Sequence, residues 1–365
     1  MSKARELAEL GAVYDSGALS NRNIIINGAM EVAQRGTDAK TGHATDLYGT
    51  DRFRAIENNS GSMSSQQVAD GPVGFYYSNK LTIIGTDSSL ASTEYGRQLT
   101  SIEGQNMAHL NWGTANAQTV TLSFYVKCSV TGTFYISLFN SAADRSFVAG
   151  YTIDAANTWE RKSINIAGPT DGTWLATNGA GVYVTWSIGA GSTYQTSTLN
   201  SWASAFDMSG SNQVNLFATN AATWQLTGVQ LELGTEATPF EHRSFGQELA
   251  RCQRYYYAHL KTGTATKYVG MGDMYTTTQL DLEVDFPVPM RSAPTLVQSS
   301  GTNYYRGYGG SGTVDVTNAW TFWLCNTENT VGSHFVTANS SSTAGFAMRI
   351  INTSSSAALA YDAEL

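Results

Sequence analysis

Apolar and polar residues alternate one by one through long stretches of this chain, and this period of two constrains the fold more than any other feature. The segment TVTLSFYVKC places five apolar side chains on one face: Val120, Leu122, Phe124, Val126 and Cys128. The residues between them, Tyr125 and Lys127 among them, face the other way. Because residues two apart on a β-strand share a face, the pattern predicts strands with one buried face.

Similar segments follow one another with Gly, Asn, Asp and Ser turns between them. GVYVTWSIG and GTFYISLF alternate in the same way, and further strands are expected near 213–218 and 224–233. Strands with one apolar face are typical of antiparallel sheets. We therefore expect an antiparallel jelly-roll β-sandwich over residues 21–240, in a fold that is mainly β.

The β pattern returns in the last third of the chain. In LDLEVDF, Leu280, Leu282 and Val284 alternate with acidic residues. TVDVTNAWTFWLCN and GFAMRIIN predict further strands. Residues 261–365 are therefore expected to form a smaller C-terminal β domain.

Two helices are expected outside the strands. Residues 1–20 predict a short amphipathic helix and a linker, with an apolar face made by Leu7, Leu10 and Val13. A helix this short is marginally stable alone in water. We expect it to lie against the same helix in other subunits or against a larger assembly, and thus to attach the protein.

A connecting helix is expected over 241–260, within LELGTEATPFEHRSFGQELARCQRYYY. Ser244 and Gln247 have the spacing of a capping box. An apolar stripe follows at Phe245, Leu249, Cys252 and Tyr256. Such a stripe is normally buried, so these four residues are expected to form the inter-domain joint or an oligomer contact, with Glu248 elsewhere on the helix surface.

His242, between Glu241 and Arg243, is the best catalytic candidate in the sequence. No nucleophile motif accompanies it, so a structural role is favoured and no catalytic residue is predicted. The histidines lack metal-ligand spacing, and the three cysteines form no C-x-x-C pair. We expect buried, reduced thiols, no metal and no cofactor. A carboxylate pair for glycoside hydrolysis can be recognised only in space, so a polysaccharide-degrading enzyme remains an alternative.

The charge and hydropathy patterns bear on partners. The net charge is −8, only 14% of residues are charged, and no cluster of Lys and Arg is found. A nucleic-acid partner is therefore not expected. No stretch has about 18 consecutive apolar residues, so membrane insertion is not expected either, and the N-terminal segment lacks a signal-peptide pattern.

A tyrosine-rich stretch, GTNYYRGYGGSG, is the candidate binding region. It contains Tyr304, Tyr305, Arg306 and Tyr308 on what the glycines predict to be a loop. Tyrosines on Gly- and Ser-rich loops supply broad, amphipathic contact area. The sequence therefore predicts a glycan or receptor site there; an ordinary tyrosine-rich turn or a subunit contact is the alternative.

Several motifs, in order, resemble a module of tailed phages, especially those of marine bacteria. They are NRNIIINGAMEVAQRGT, YGTDRFRA, SIEGQNMAHLNWGTANAQTVTLSFYVK, TWERKSINIAGPTDGTW and LTGVQLELGTEATPFEHRSFGQELARCQRYY. The resemblance covers about residues 20–257. In that family the module belongs to tail fibres or other virion structural proteins and is similar to a jelly-roll carbohydrate-binding domain followed by a helix.

The resemblance implies a non-enzymatic fibre or spike protein on the virion, made in the host cytoplasm and exposed on the particle. It implies a homotrimer that attaches to tail, baseplate or capsid proteins through its N-terminus and adheres to a host cell-surface glycan. Long tail fibres of the family usually carry an extended N-terminal shaft, and this chain has one short helix instead. A capsid-decorating head fibre is therefore an alternative, beside the polysaccharide depolymerase.

Overall fold

The computed structural model describes residues 3, 21–42, 46–309, 312–316, 319–325, 329–337 and 342–365. Within it are two compact units, one ending at Glu248 and one running from Leu249 to Glu364. The expected attachment residues Leu7, Leu10 and Val13 lie outside the described residues.

The described residues of the first unit lie mainly in strands, and a short helix, α1, is Gly104–Met107. Its strands are β1 Lys40–Thr41, β2 Leu47–Thr50, β3 Phe53–Asn58, β4 Ser62–Val68, β5 Ser78–Gly85, β6 Tyr95–Glu103, β7 Val120–Cys128, β8 Gly132–Phe139, β9 Ser146–Ile153, β10 Glu160–Ile166, β11 Ala180–Ala190, β12 Gln195–Thr196, β13 Trp202–Ala203, β14 Ser209–Gly210 and β15 Thr223–Leu233.

These strands form two large sheets. The six-stranded sheet has the order β1-β4-β5-β15-β7-β10, and the seven-stranded sheet has the order β13-β9-β8-β11-β6-β3-β2. Neighbouring strands in both are antiparallel, while β12 and β14 form a small parallel pair. The predicted antiparallel β-sandwich is confirmed.

A continuous apolar core lies between the two sheets. Phe124 of the six-stranded sheet meets Trp186 of the seven-stranded sheet edge-on, with ring centroids 5.7 Å apart. Tyr151 packs against Phe124 at 5.2 Å and accepts a hydrogen bond from Trp224 Nε1 at 3.3 Å. The sheets are thus joined by interlocking aromatic rings, which prefer such edge-to-face geometry.

Alternation predicted the core strands correctly. All five apolar residues of β7 are fully buried, as are the inward-facing residues of β8 and β11. The strand expected near 213–218 is wrong, because Leu216–Ala218 is a 3-10 helix in which Asn215 Oδ1 accepts from Phe217 N at 3.1 Å. Leu216 and Phe217 are both buried, and two adjacent buried residues fit one helical turn better than a strand with one buried face.

The second unit contains a three-stranded sheet, β16-β25-β19, and a seven-stranded sheet, β21-β20-β24-β17-β18-β23-β22. Their strands are β16 Tyr256–Leu260, β17 Tyr268–Met274, β18 Gln279–Asp285, β19 Thr295–Gln298, β20 Tyr305–Gly309, β21 Gly312–Val316, β22 Thr321–Cys325, β23 Val331–Thr337, β24 Ala347–Asn352 and β25 Leu359–Asp362. A second apolar core, which contains Leu280, Leu282 and Val284, lies within this unit.

The connecting helix expected over 241–260 is shorter in the structure. Helix α2 is Phe245–Gln253, and the capping box is confirmed by hydrogen bonds from Ser244 N and Oγ to Gln247 Oε1 at 3.1 and 3.0 Å. Tyr256 is the first residue of β16, which pairs with β25, so its predicted place in the helical stripe is wrong. A tyrosine is compatible with a helix or a strand, and the hydrogen-bonded pairing with β25 places Tyr256 in a strand.

A buried histidine joins two strands and the core of the second unit. His334 Nδ1 lies 3.2 Å from the Leu282 carbonyl oxygen, and His334 Nε2 lies 2.9 Å from the Tyr361 hydroxyl. Nδ1 therefore donates, and the hydroxyl donates to Nε2, which requires a neutral ring. Burial lowers the pKa of His334 to about 4.

The second unit should lose stability in acid because of His334. Its pKa is lowered on folding, so below about pH 6.5 the unfolded chain takes up a proton that the folded unit refuses until about pH 4. The free energy of unfolding should fall across this range by about 1.4 kcal/mol per unit of pKa difference. Urea unfolding at several pH values would measure it. His334→Asn should reduce the change of the free energy of unfolding with pH. His109→Asn, at an exposed site in the first unit, should leave this change as it is in the wild type. An equal pH dependence in all three proteins would show that His334 is not its source.

Candidate functional site

The outer face of the six-stranded sheet carries a cleft with aromatic walls. On β7, Tyr125 faces outward because Phe124 and Val126 on either side of it are fully buried in the core. Arg161 of β10 lies directly opposite Tyr125 in the antiparallel register. Directly opposed residues of neighbouring strands have adjacent side chains, so a phenol and a guanidinium lie side by side on this face.

A glycine beside Tyr125 lets aromatic rings lie against the sheet. Gly228 of β15 has φ +61° at an irregularity in the pairing with β7, between Thr227 and Gln230. A Cβ atom at this position would lie 2.8 Å from Phe75 Cζ and 2.9 Å from Tyr125 Cδ2. The backbone conformation and the contact distances both favour glycine here, so the bulge makes room for the rings.

Phe75, in the loop between β4 and β5, is the centre of the aromatic cluster. Its ring centroid lies 5.5 Å from Tyr125, 4.9 Å from Phe240 and 5.2 Å from His242. The cleft beside these rings has a volume of about 480 Å³. It is lined by Val73, Gly74, Phe75, Ser123, Tyr125, Arg161, Gly228, Ala237, Pro239, Phe240 and His242. We call this feature the aromatic cleft.

Hydrogen bonds to buried polar side chains of β15 fix the segment that follows this strand. This segment carries Phe240 and forms one wall of the aromatic cleft. After β15, the chain turns back so that Thr238 N and Oγ1 donate to the Glu232 carboxylate at 2.9 and 2.5 Å. Glu241 N donates to Gln230 Oε1 at 2.8 Å. Arg161 adds a bond from Nη2 to the Thr238 carbonyl at 2.9 Å. Because Gln230 and Glu232 are buried, these bonds fix the wall firmly to the sheet.

A network of buried charges follows the wall, and we call it the Arg243 clamp. Arg243 forms ion pairs of 3.0 Å with both Glu241 and Glu248. Its guanidinium also donates to the carbonyl oxygens of Ile25, at 3.1 Å, and of Asn23. The expectation that Glu248 lies on the surface is wrong, because this carboxylate is buried as a partner of Arg243.

The two carboxylates of the clamp also bind backbone amides near the start of the described chain. Glu241 accepts from Asn21 N at 2.6 Å and Asn23 N at 2.8 Å, and Glu248 accepts from Asn27 N at 2.9 Å. Burial alone would raise the pKa of Glu241, but the amides and Arg243 hold it below its usual value. The Arg243 clamp therefore binds residues 21–27 to the end of the sandwich.

His242 does not belong to the clamp. Its exposed ring lies 4.9 Å from Phe240 and forms no hydrogen bond within the described part of the chain. It is part of the wall of the aromatic cleft instead. That His242 has no catalytic role stays a prediction.

The tyrosine-rich stretch is a strand with two different faces rather than a loop. Tyr305 begins β20, is fully buried and packs against Trp320 at 5.4 Å, so its predicted role in an exposed binding patch is wrong. Tyr304 packs against the core of the second unit. Tyr308 is 41% exposed, and its hydroxyl lies 3.5 Å from Arg306 Nη1. A receptor-binding role for Tyr308 and Arg306 stays a prediction.

Tyr308 has exposed neighbours on the same sheet. It pairs in register with Arg349 of β24, which pairs with Met271 of β17. The guanidinium of Arg349 lies 6.0 Å from the ring centroid of Tyr268. Sequence reasoning missed Arg349, Met271 and Tyr268, because strand order rather than sequence distance brings them to Tyr308.

The residues expected at the inter-domain joint differ in burial. Phe245 is 56% exposed, Leu249 is half-buried and Cys252 is fully buried. Of the remaining cysteines, Cys128 is buried as expected and Cys325 is only partly buried; all three are free thiols.

Comparisons with known proteins give structural likenesses only. No protein-family model matches the chain, and no curated protein matches its sequence. Similar solved structures include the enzymatically active domain of tailspike protein 4 of bacteriophage CBA120, with a TM-score of 0.31, 11% identity, and coverage of 58% of this chain and 21% of that one. The alignment thus spans about a fifth of the tailspike domain.

Two further similar structures are of stated or putative sugar-binding proteins. A family 11 carbohydrate-binding module of Clostridium thermocellum has a TM-score of 0.29, 11% identity, and coverage of 57% of this chain and 99% of that one. A putative sugar binding protein of Bacteroides thetaiotaomicron has a TM-score of 0.31, 10% identity, and coverage of 58% of this chain and all of that one (100%).

None of the helices described is long and apolar enough to cross a membrane. Within the same part of the chain, no group of three or more His, Cys, Asp or Glu side chains could hold a metal ion.

Replacing the central cation of the clamp should destabilise the first unit. Arg243→Met leaves the buried carboxylate of Glu248 and the half-buried carboxylate of Glu241 without their partner. Removal of one member of a buried ion pair typically costs about 3–5 kcal/mol. Urea unfolding of the purified protein would measure it. The control is Arg145→Met, which removes a surface ion pair with Asp171 and should change stability little. Equal midpoints for the two variants would show that the clamp does not hold the sandwich.

Proposed function

We propose that this protein is a non-enzymatic phage virion fibre or spike protein that binds a host-surface glycan in the aromatic cleft. The observation that carries the proposal is the convergence of Phe75, Tyr125, Phe240 and His242 beside Arg161. These rings lie outside the apolar core between the two sheets.

The chemistry of the cleft suits a sugar. The faces of pyranose rings present C–H groups that pack on aromatic rings, while their edges present hydroxyls that need hydrogen bonds. Arg161 uses one donor to hold Thr238, and a guanidinium has five. The volume of about 480 Å³ falls within the range of about 300–1,000 Å³ for small-ligand sites.

The residues of the cleft favour binding over hydrolysis. Glycosidases generally use two carboxyl groups that flank the scissile bond. The described residues that line the cleft include no Asp or Glu. A depolymerase would therefore need a second site elsewhere in the chain, and we keep it as the alternative.

The virion context rests on the resemblance to the phage module. Tyr125, Arg161, Phe240 and His242 lie within the motifs that carry it. We propose that the protein is made in the host cytoplasm, attaches to tail, baseplate or capsid proteins through its N-terminus and is exposed on the particle. Attachment to the capsid would make it a decorating head fibre with the same glycan-binding cleft.

Glycan binding should depend on the cleft rings. Tyr125→Ala and Phe240→Ala should each weaken retention on host polysaccharide by about tenfold, equivalent to about 1.4 kcal/mol. Affinity electrophoresis in gels that contain purified host polysaccharide would measure the retention. Tyr76→Ala is the matched control, because Tyr76 is 69% exposed on the same loop as Phe75 but does not line the cleft.

Retention that is unchanged in both cleft variants would refute the site. The same polysaccharide, incubated with wild-type protein, should release no new reducing ends. Release of reducing ends would favour the depolymerase.

The protein should form a trimer in solution. Large apolar side chains are exposed in both units, including Phe245 at 56%, Met271 at 53% and Trp323 at 65%. The resemblance to the phage module supplies the number three, and these exposed side chains are available for contacts between subunits. Sedimentation equilibrium should give three times the chain mass of 39.2 kDa, and a stable monomer at micromolar concentration would contradict the proposal.

A further inference from the structure

A second group of aromatic rings lies on the outer face of the seven-stranded sheet and surrounds one arginine. On β6, Gln98 and Thr100 are buried, and Arg97 faces the opposite side of the sheet. Arg97 lies between Ile56 of β3 and Ser187 of β11 in the sheet register. The alternation of β6 thus places a cation beside the small apolar cluster of Ile56, Leu99 and Phe139 on this face.

Three rings contact the guanidinium of Arg97. Its Cζ atom lies 5.1 Å from the ring centroid of Tyr95, 5.5 Å from Phe139 and 5.7 Å from Phe206. Tyr183 stacks on Phe139 at 4.9 Å. Aromatic faces attract a cation and also exclude water from it, so the rings partly desolvate the charge. We call Arg97 together with these rings the Arg97 pocket.

The segment that follows β11 closes the pocket. Tyr194 packs edge-on against Tyr95 at 5.2 Å and against Phe206 at 5.8 Å. The bond from Met208 N to the Tyr194 carbonyl, at 2.9 Å, and the parallel pairing of β12 with β14 hold this segment in place. Among the described residues, the acceptor for Arg97 Nη1 is the weak acceptor Met208 Sδ, at 3.1 Å.

No acidic group neutralises Arg97. It forms no ion pair with any carboxylate in the described part of the chain. Asp46, on the same sheet, is the partner of Arg54 at 2.7 Å, and Arg54 adds further positive charge near the pocket. Arg97 Nε is enclosed and has no hydrogen-bond acceptor. Burial lowers the pKa of Arg97, which is the mark of a charge that has lost water without gaining a counter-charge.

The hydroxyls around Arg97 also have spare capacity. Tyr95, Tyr183 and Tyr194 are half-buried, and their hydroxyls form no hydrogen bond within the described residues. A desolvated guanidinium with free donors, beside phenol hydroxyls and aromatic rings, is complementary to a sugar that carries a carboxylate. The carboxylate can accept two hydrogen bonds from the guanidinium. The C–H face of the sugar can pack on the aromatic rings.

We propose that the Arg97 pocket is a binding site for an acidic sugar, with Arg97 bound to the carboxylate of a uronic-acid residue. The site is separate from the aromatic cleft, since Arg97 belongs to the opposite sheet of the sandwich. The proposal does not depend on glycan binding in the cleft. It predicts that the protein distinguishes acidic from neutral sugars.

The test uses D-glucuronate as the probe and D-glucuronamide, its uncharged counterpart, as the ligand control. A ligand that binds only the folded protein raises the thermal midpoint. At matched ionic strength, glucuronate should raise the midpoint of the full chain and the amide should not. In Arg97→Met, glucuronate affinity should fall at least about tenfold, because the guanidinium that binds the carboxylate is gone. Arg97→Lys keeps the positive charge but lacks the planar guanidinium that donates two hydrogen bonds to a carboxylate. This variant should bind glucuronate several-fold more weakly than the wild type.

Two further variants separate this site from others. Arg54→Met removes an arginine on the same face that already has a partner, and it should keep the glucuronate response. Tyr125→Ala disables the aromatic cleft and should also keep it, so failure of the cleft and failure of this pocket are distinguishable.

Three results would overturn the proposal: no midpoint shift with glucuronate in wild type, an equal shift with the amide, or an undiminished shift in both Arg97 variants. A folded Arg97→Met protein that is less stable than wild type in the absence of any anion, with glucuronate affinity unchanged, would make Arg97 a structural residue only.

Discussion

The first unit depends on the contact between its two sheets, made where Phe124 meets Trp186 and where Tyr151 bridges to Trp224. These rings belong to β7, β11, β9 and β15, so four strands from two sheets are held in one register. Burial of large aromatic side chains supplies much of the stability of such a core. Every outer-face position is set by this contact, because a shift of one residue in a strand would exchange its two faces.

The outer faces of the two sheets are free to carry function because the inner faces hold the fold. On the six-stranded sheet, the bulge at Gly228 makes room for Phe75 and Tyr125, and the wall that follows β15 adds Phe240 and His242. On the seven-stranded sheet, the segment after β11 surrounds Arg97 with rings. In both cases a rigid sheet provides the floor and a loop fixed by hydrogen bonds provides the wall, as is usual for binding sites on rigid scaffolds.

Much of the fold could be predicted because period-two alternation is a local signal. Val120, Leu122 and Phe124 indicate their strand without any knowledge of its neighbours, and Ser244 with Gln247 marks the start of α2. The end of α2 was not predictable, because Tyr256 joins a strand only through pairing with residues about a hundred positions later. The cleft was missed for the same reason. Alternation places Tyr125 on the outer face, but only strand order brings it to Arg161, and only the turn after β15 brings Phe240 to Phe75.

The charged residues show why burial alone does not indicate function. Arg243 and Arg97 are both largely removed from water in a chain with few charges. Arg243 is paired with two carboxylates and donates to two carbonyl oxygens, so its charge is neutralised within the fold, and its removal should cost stability. Arg97 has rings and a thioether for neighbours and no counter-charge among the described residues. A desolvated cation that the fold leaves without an anion gains from one supplied by a ligand. The clustered charges of Glu241, Arg243 and Glu248, which suggest chemistry in the sequence, therefore stabilise the fold, whereas Arg97, which no sequence motif marks, is the arginine that we propose binds an acidic sugar.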